Sequence, residues 1–293
     1  MKLYFLGTGT STGVPHLGCQ CEVCQSADPR DHRTRSSALL HTDEGRLILL
    51  DCGPDFRLQM ERFLATHRPE QCPTLPYRHR HVDELPLEQA QALGLPRAVA
   101  HDYALPLIDA VLLTHEHFDH VGGLDDLRPF SIFQPINIYC EPRVAAPILQ
   151  HMHYCFREQP YPGAPKLTMC PLESLQPFSI GGVEITPIRV LHGQLPIVGY
   201  RIGSLAYITD MSSMPDTEWD KLQGVRTLVT NALRYASHPT HQTLQQAIDF
   251  AQRVGAQHTY FIHQSHGAGT VADSLQRLPA GMAYAYDGLD IEL

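Results

Sequence analysis

The stretch Thr114-His115-Glu116-His117-Phe118-Asp119-His120 decides the reading of this chain. It gathers histidines and carboxylates directly after the apolar run Asp109-Ala-Val-Leu-Leu-Thr114. Imidazole nitrogens and carboxylate oxygens are ligand types for Zn, Mn and Fe. A strand ending in a ligand-bearing loop suits a metal, because the strand fixes where the ligands begin. His115 and His117 alternate along the chain and can converge on one ion, while Asp119 and His120 lie beyond them and can reach a second. A polar surface loop is the plain alternative, but it gives no reason for every donor to stand at usable spacing.

Composition narrows the class. The chain has 293 residues, enough for one large domain or two small ones. A hydrophobic fraction of 43% supports a substantial core, and a charged fraction of 18% is low. The net charge of −9 disfavours a general nucleic-acid surface. No apolar run approaches a membrane span. The opening Met1-Lys-Leu-Tyr-Phe-Leu-Gly-Thr-Gly9 reads as a first strand rather than a signal peptide, which makes the cytoplasm the default location. Eight cysteines, with Cys19, Cys21 and Cys24 clustered, suggest metal binding rather than disulfides.

Periodicity predicts alternating strands and helices. Early strands are expected at 2–6, 37–41 and 46–50, and a helix at 55–65 with Phe56, Met60, Phe63 and Leu64 near helical spacing. The proline-rich stretch 67–108, with Arg78-His-Arg-His81, reads as an irregular insertion holding one helix at 86–93. It either shapes a pocket rim or is a solvated loop. Beyond it come a helix near 118–128, a strand at 136–140, a helix near 143–157 and a β-rich stretch at 177–209 punctuated by glycine. Strand 226–230, helix 241–254, strand 258–262 and a short final helix and strand complete the pattern.

His-x-His-x-Asp-His after a strand resembles the metallo-β-lactamase superfamily, and the resemblance extends along almost the whole chain. It implies an α/β fold, a four-layer αβ/βα sandwich with a dinuclear metal site at one edge. His192 in Val190-Leu-His-Gly193, Asp210 in Ala206-Tyr-Ile-Thr-Asp210 and His263 in Tyr260-Phe-Ile-His263 match its further ligands. Asp51-Cys52-Gly53 matches the turn that commonly supports the site. The resemblance therefore implies His115, His117 and His192 on one ion, and Asp119, His120 and His263 on the other, with Asp210 bridging. Zn, Mn and Fe all suit this donor set. Because these ligands span His115 to His263, one domain over 1–293 is expected.

A second cluster, Gly18-Cys19-Gln-Cys21-Glu-Val-Cys24, has the thiolate density of a structural zinc loop at about 18–26, which needs a fourth ligand from elsewhere. His266, in His263-Gln-Ser-His266, is the candidate. Unconnected cysteines or a redox pair are the alternative. The remaining cysteines, Cys52, Cys72, Cys140, Cys155 and Cys170, read as packing residues. The cysteine run and the terminal histidine pair resemble the phosphoribosyl cyclic phosphate phosphodiesterase branch of the carbon–phosphorus lyase pathway. So do the opening Gly7-Thr-Gly-Thr-Ser-Thr-Gly13-Val-Pro15 and His241-Gln-Thr-Leu244. In that branch a histidine at the place of His241 lies outside the metal shell. The longer 67–108 stretch, Gly122–Arg128 and Asn231–Arg234 depart from it toward a sister branch, so the chemistry transfers better than the substrate.

The implied activity is metal-activated hydroxide attack on a small or cyclic phosphate diester. Two divalent cations about 3.5–4 Å apart clamp the attacking and leaving oxygens, Asp119 is among the catalytic residues, and His241 is the candidate to protonate the leaving oxygen. His241 could equally be an ordinary helix-start residue. Glu116 either orients a ligand or lies in solvent. The Gly7–Gly13 segment is either a phosphate-binding nest or a tight turn. Competing functions are a ribonuclease Z-like nuclease, a thioesterase of the same fold and a non-catalytic metal-binding protein. The expected partner is a small phosphodiester, with no membrane, nucleic acid disfavoured and a homodimer compatible with the sequence.

Overall fold

A computed structural model describes residues 1–83, 87–94, 100–161 and 163–293. The described strands are β1 (Lys2–Gly7), β2 (Ser37–His41), β3 (Leu47–Leu50), β4 (Tyr77–Asp83), β5 (Ala100–Pro106), β6 (Ile108–Leu112), β7 (Ile136–Cys140) and β8 (Leu167–Pro171) in the first half. The second half adds β9 (Phe178–Ile180), β10 (Val183–His192), β11 (Leu195–Ile202), β12 (Leu205–Ile208), β13 (Thr227–Asn231), β14 (His258–Ile262), β15 (Met282–Tyr284) and β16 (Asp290–Glu292). The helices are α1 (Phe56–Thr66), α2 (Leu87–Ala92), α3 (Phe118–Val121), α4 (Pro142–His151), α5 (Leu244–Val254) and α6 (Val271–Arg277).

Two seven-stranded sheets result, ordered β16-β1-β2-β3-β6-β7-β8 and β15-β14-β13-β12-β11-β10-β9. The period-two alternation of β3 shows why they face one another. Ile48 and Leu50 pack with Ile185, Tyr200, Tyr207 and Val229 of the opposite sheet. Leu47 and Leu49 pack with Phe56, Met60 and Phe63 of α1 on the other face. A strand buried on both faces must be apolar throughout, which Leu-Ile-Leu-Leu satisfies. The second sheet is covered by α5 and α6 through Ala247, Ile248, Phe250 and Val271. Each such Ile or Phe contributes roughly 1.5–3 kcal/mol by burial. The layers are therefore helix, sheet, sheet, helix.

Several boundaries differ from the sequence reading. Stretch 67–108 is not irregular throughout: β4 and β5 form an antiparallel hairpin with Tyr77 opposite Pro106 and Asp83 opposite Ala100. Its pairing is non-local, and β4 is rich in Arg and His rather than apolar residues, so no local pattern announces it. Residues 84–86 and 95–99 of this insertion, including the expected helix start at 86, lie outside the described residues. The helix expected near 118–128 is one turn, α3, followed by a 3₁₀ turn at Leu124–Leu127. Gly122-Gly123 separates them, and the Gly123 N–H donates to the Cys52 carbonyl at 2.9 Å. The helix expected near 143–157 stops at His151, followed by a 3₁₀ turn at His153–Cys155. Helix α5 begins at Leu244 because Thr243 and Gln246 form a reciprocal capping box, contributing about 1 kcal/mol. That cap leaves His241 outside the helix. No helix among the described residues is long and apolar enough to cross a membrane.

Candidate metal centre

The centre gathers where strands of both sheets end. Asp51, Asp210 and His263 follow β3, β12 and β14, and all adopt the left-handed region, with φ of 58°, 57° and 53°. Non-glycine residues there cost of order 1–3 kcal/mol each and cluster at functional sites. No other non-glycine residue among the described ones has positive φ.

Asp51 is fully buried and organises its neighbours. Its carboxylate accepts from the Thr114 N–H at 2.8 Å, from Thr114 Oγ1 at 2.9 Å and from His120 Nδ1 at 2.8 Å. The Asp-Cys-Gly turn itself is clamped to the histidine loop, because the Cys52 N–H donates to the His120 carbonyl at 2.8 Å. A Cβ on Gly53 would collide with the Asp119 carbonyl oxygen, so glycine alone permits this approach.

These hydrogen bonds fix which ring nitrogens face the centre. His120 gives its Nδ1–H to Asp51, leaving Nε2 as a lone pair. Thr114 Oγ1 donates to Asp51 and so accepts from His115 Nδ1, 2.9 Å away, which leaves His115 Nε2 bare. His192 Nδ1 donates to the Thr240 carbonyl at 2.9 Å, which frees its Nε2. Orienting a ligand histidine through its other nitrogen is the usual support of metal sites.

The freed atoms crowd together. His120 Nε2 lies 3.3 Å from Asp119 Oδ2 and 3.4 Å from Asp210 Oδ1. His263 Nε2 lies 3.4 Å from Asp119 Oδ2 and 3.1 Å from Asp210 Oδ2. Ligands about 2.05 Å from a tetrahedral ion stand about 3.3–3.4 Å apart. His115 Nε2 and His117 Nδ1 are 3.0 Å apart, and His115 Nε2 is 3.9 Å from Asp210 Oδ2. The His192 ring lies 5.1 Å from His117 and 4.5 Å from His241, centroid to centroid. Asp119, His120, Asp210 and His263 can hold one cation together, and Asp210 recurs in a second such group with His192 and His241. The Nε2 of His241 is 3.2 Å from Asp210 Oδ2, as near as the ligand candidates and nearer than a position outside the metal shell implies.

Electrostatics favour a cation here. The buried Nε2 of His120 has no hydrogen-bond partner among the described residues. Burial lowers the basicity of His120, but Asp210, Asp51 and Asp119 override it and raise its pKa well above the ordinary range. Burial likewise opposes the charge on Asp119, yet His120 and a His263 hydrogen bond hold that carboxyl far below its usual value. A cage that draws a proton onto His120 draws a divalent cation for the same reason. Burial and the neighbouring His120 push His115 well below its usual pKa, leaving it neutral as a ligand requires. The donor set fits a divalent cation. Asp51→Asn is expected to lower metal affinity by about 10–100-fold, because an amide orients His120 and Thr114 less well than a carboxylate. Metal titration of the variant checks this.

The second cluster is equally compact. Sγ of Cys19, Cys21 and Cys24 lie 3.3, 3.5 and 3.4 Å from His266 Nδ1. One nitrogen cannot be hydrogen-bonded to three thiols at once, whereas a tetrahedral Zn with Zn–S near 2.3 Å and Zn–N near 2.05 Å sets these edges at about 3.6 Å. Sequence reasoning missed a second tie beside it. Fully buried Arg33 donates to the carbonyls of Ser265 at 3.1 Å and Gly269 at 2.7 Å, and Asp31 accepts from the Val271 N–H at 2.7 Å.

Other expectations resolve. Glu116 turns to α4, where Arg143 binds it at 2.5 Å. In the Gly7–Gly13 segment the amides of Thr8, Gly9, Thr10 and Gly13 donate to Asp287, Thr34, Gln264 and Thr10 respectively, the pattern of a turn rather than an anion nest. Thr114 and Thr240 were also missed, although both abut the histidine motifs.

Residues 86–264 match the family model for a Beta-lactamase superfamily domain. The chain belongs to the β-lactamase superfamily, and its architecture is the metallo-β-lactamase fold. A crystallised diphosphatase from the PhnP family is similar along the full chain, with 33% identity, a TM-score of 0.79 and coverage of 100% of this chain and 97% of that one. Zn²⁺-bound PqqB from Methylobacterium extorquens shares the fold at TM-score 0.70 and 21% identity, covering 100% of each chain. Human tRNase Z, short form, shares it at 0.60 and 19%, over 100% of this chain and 99% of that one. A Porphyromonas gingivalis protein named octanoyltransferase is 41% identical over 291 residues, which is 99% of this chain and 51% of that protein. Coenzyme PQQ synthesis protein B of Methylorubrum populi is 31% identical over 152 residues, 50% of this chain and 40% of that protein. The chain thus spans about half the length, or less, of these curated relatives.

Proposed function

We propose that the protein is a dinuclear metal-dependent hydrolase that cleaves a small or cyclic phosphate diester. The observation that carries this is the Asp210 carboxylate, which lies within ligand distance of Asp119, His120 and His263 and also of His192 and His241. His115, His117 and His192 would hold one cation and Asp119, His120 and His263 the other, with Asp210 within reach of both groups. Zn²⁺, Mn²⁺ and Fe²⁺ suit this set. When bound, the two cations supply charge that activates a water and neutralises the phosphate oxygens. Burial lowers the His241 pKa to about 4, so this ring is neutral near pH 7. Its Nε2 takes up a proton from the attacking water and delivers it to the departing alkoxide. The phosphorus gains one oxygen bond and loses another, with no redox partner.

The full-length likeness to a PhnP-family diphosphatase supports phosphorus–oxygen cleavage. The net charge of −9 argues against RNA. Cys19, Cys21, Cys24 and His266 would hold one structural Zn²⁺. A second reading, thioester hydrolysis, draws on the relative named octanoyltransferase, although this chain matches only half of that protein.

A substrate panel separates these readings. Metal-reconstituted protein is offered bis(p-nitrophenyl) phosphate, cyclic nucleotides, diphosphates, precursor tRNA and octanoyl thioesters. Turnover of small or cyclic diesters above the others is expected. Turnover confined to octanoyl thioesters or to precursor tRNA would transfer the assignment to that reading.

A further inference from the structure

One arginine outside the cage touches both chain segments that carry His115, His117 and His192, and we propose that Arg143 is a positioning residue for the cation on that side. His117 is the ligand candidate in need of support. It is exposed, whereas His115, His120, His192 and His263 are buried. Thr114, Asp51 and the Thr240 carbonyl orient His115, His120 and His192 through a second ring nitrogen. Among the described residues, the one ring contact of His117 at hydrogen-bond distance is Nδ1 with His115 Nε2, 3.0 Å away. That neighbour is itself a ligand candidate, so it is no independent anchor. The placement of the His117 ring therefore follows its backbone, and the residue between His115 and His117 is Glu116.

Glu116 is held from outside the cage. Its Oε2 accepts from Arg143 Nη1 at 2.5 Å. The other arm of the same guanidinium, Nη2, donates to the Pro196 carbonyl. Pro196 stands opposite Leu191 in the β10–β11 pair, one register step from the His192–Leu195 pair. One rigid fork thus spans the loop of His115 and His117 and the hairpin of His192. A guanidinium suits this task because its planar donors diverge at fixed angles, which an ammonium cannot copy. Arg143 is itself braced. It is the second residue of α4, whose Val144, Ala145 and Ile148 pack into the core. Its Nε lies 3.4 Å from Glu141 Oε2, which accepts from Arg189 Nη1 at 2.9 Å. Glu116, Arg143, Glu141 and Arg189 alternate in sign, so their fields largely cancel at the cage and the chain acts through geometry. The effect is one-sided, because His120 is anchored separately. Its ring is held by Asp51 and its carbonyl by the Cys52 N–H.

Which cation is affected rests on the two-cation reading; the placement of His117 does not. The test is Zn²⁺ titration of the full chain, with anomalous scattering to locate the bound ions, in Arg143→Ala, Glu116→Ala and Arg143→Lys. In Arg143→Ala, Zn²⁺ affinity on the His115–His117–His192 side should fall about 10–100-fold. The peaks beside Asp119, His120 and His263 and among the cysteines should keep their occupancy. Glu116→Ala cuts the same anchor from its other end and should reproduce the selective loss, which keeps the test open if Arg143→Ala does not fold. Arg143→Lys, with the charge but not the fork, should lie between wild type and Arg143→Ala. Turnover of a small diester by Arg143→Ala should drop at limiting Zn²⁺ and recover in excess Zn²⁺, which a general loss of structure would not allow. Equal weakening of both sides, or unchanged zinc binding in Arg143→Ala and Glu116→Ala, would overturn the inference. The wild type could instead hold a single cation in the histidine cage, with the His117 ring displaced in crystals of chelator-treated Arg143→Ala but not of chelator-treated wild type. That result would leave the positioning role standing and remove the two-cation reading.

Discussion

Replacing His120 or Asp210 by alanine is expected to lower turnover of small diesters by about 1000-fold or more. The magnitude follows from the several kcal/mol that a bound cation supplies to a transition state, at about 1.4 kcal/mol per factor of ten. His120 brings the lone pair between Asp119 and Asp210, and Asp210 is common to both donor groups. Losing either opens the cage at or beside the carboxylate that the two donor groups share. The fold should persist, because neither side chain belongs to the apolar clusters between or outside the sheets. Asp210 needs a control. At φ of 57° alanine is strained, whereas asparagine tolerates the left-handed region. Asp210→Asn therefore separates lost charge from backbone strain, and it should lose activity with smaller loss of stability. Thermal melts, metal content and kcat of the three variants check this. Near-normal rates in metal-free buffer would show that two-cation activation is the wrong chemistry.

Cys21→Ser should produce the largest stability effect. Structural zinc with four protein ligands couples its binding free energy to folding. Here such an ion would join the loop around Cys19 to the segment bearing His266. Zinc content should fall by about one equivalent and Tm by more than about 5 °C, which at this size corresponds to roughly 3 kcal/mol. Unfolding should not be complete, since Arg33 and Asp31 still tie the N-terminal stretch to residues 265–271. Activity should fall as well. His263 precedes His266 by three positions and has no partner at Nδ1 among the described residues, so its placement depends on its own chain segment. Unchanged melting with unchanged zinc content would show that the thiols hold no zinc.

Much of this architecture is legible in the sequence. The apolar run from Asp109 followed by a dense histidine loop locates one rim of the centre, and residues 46–50 read directly as a strand. What escapes is whatever depends on pairing between distant segments. The β4–β5 hairpin is one case, since its partners stand opposite each other only after residues 84–99 intervene. The division of labour among the histidines is another. Spacing offers His115 and His120, and the family resemblance His192, as candidate ligands, but only hydrogen bonds to Thr114, Asp51 and the Thr240 carbonyl show which nitrogen each presents.

The central claim is that two cations share Asp210. Anomalous scattering from crystals of metal-loaded protein tests it most directly. The expected result is two peaks about 3.5–4 Å apart on either side of the Asp210 carboxylate, with a separate peak among Cys19, Cys21, Cys24 and His266. A single peak in the histidine cage, or a pair that leaves Asp210 unliganded, would contradict the account.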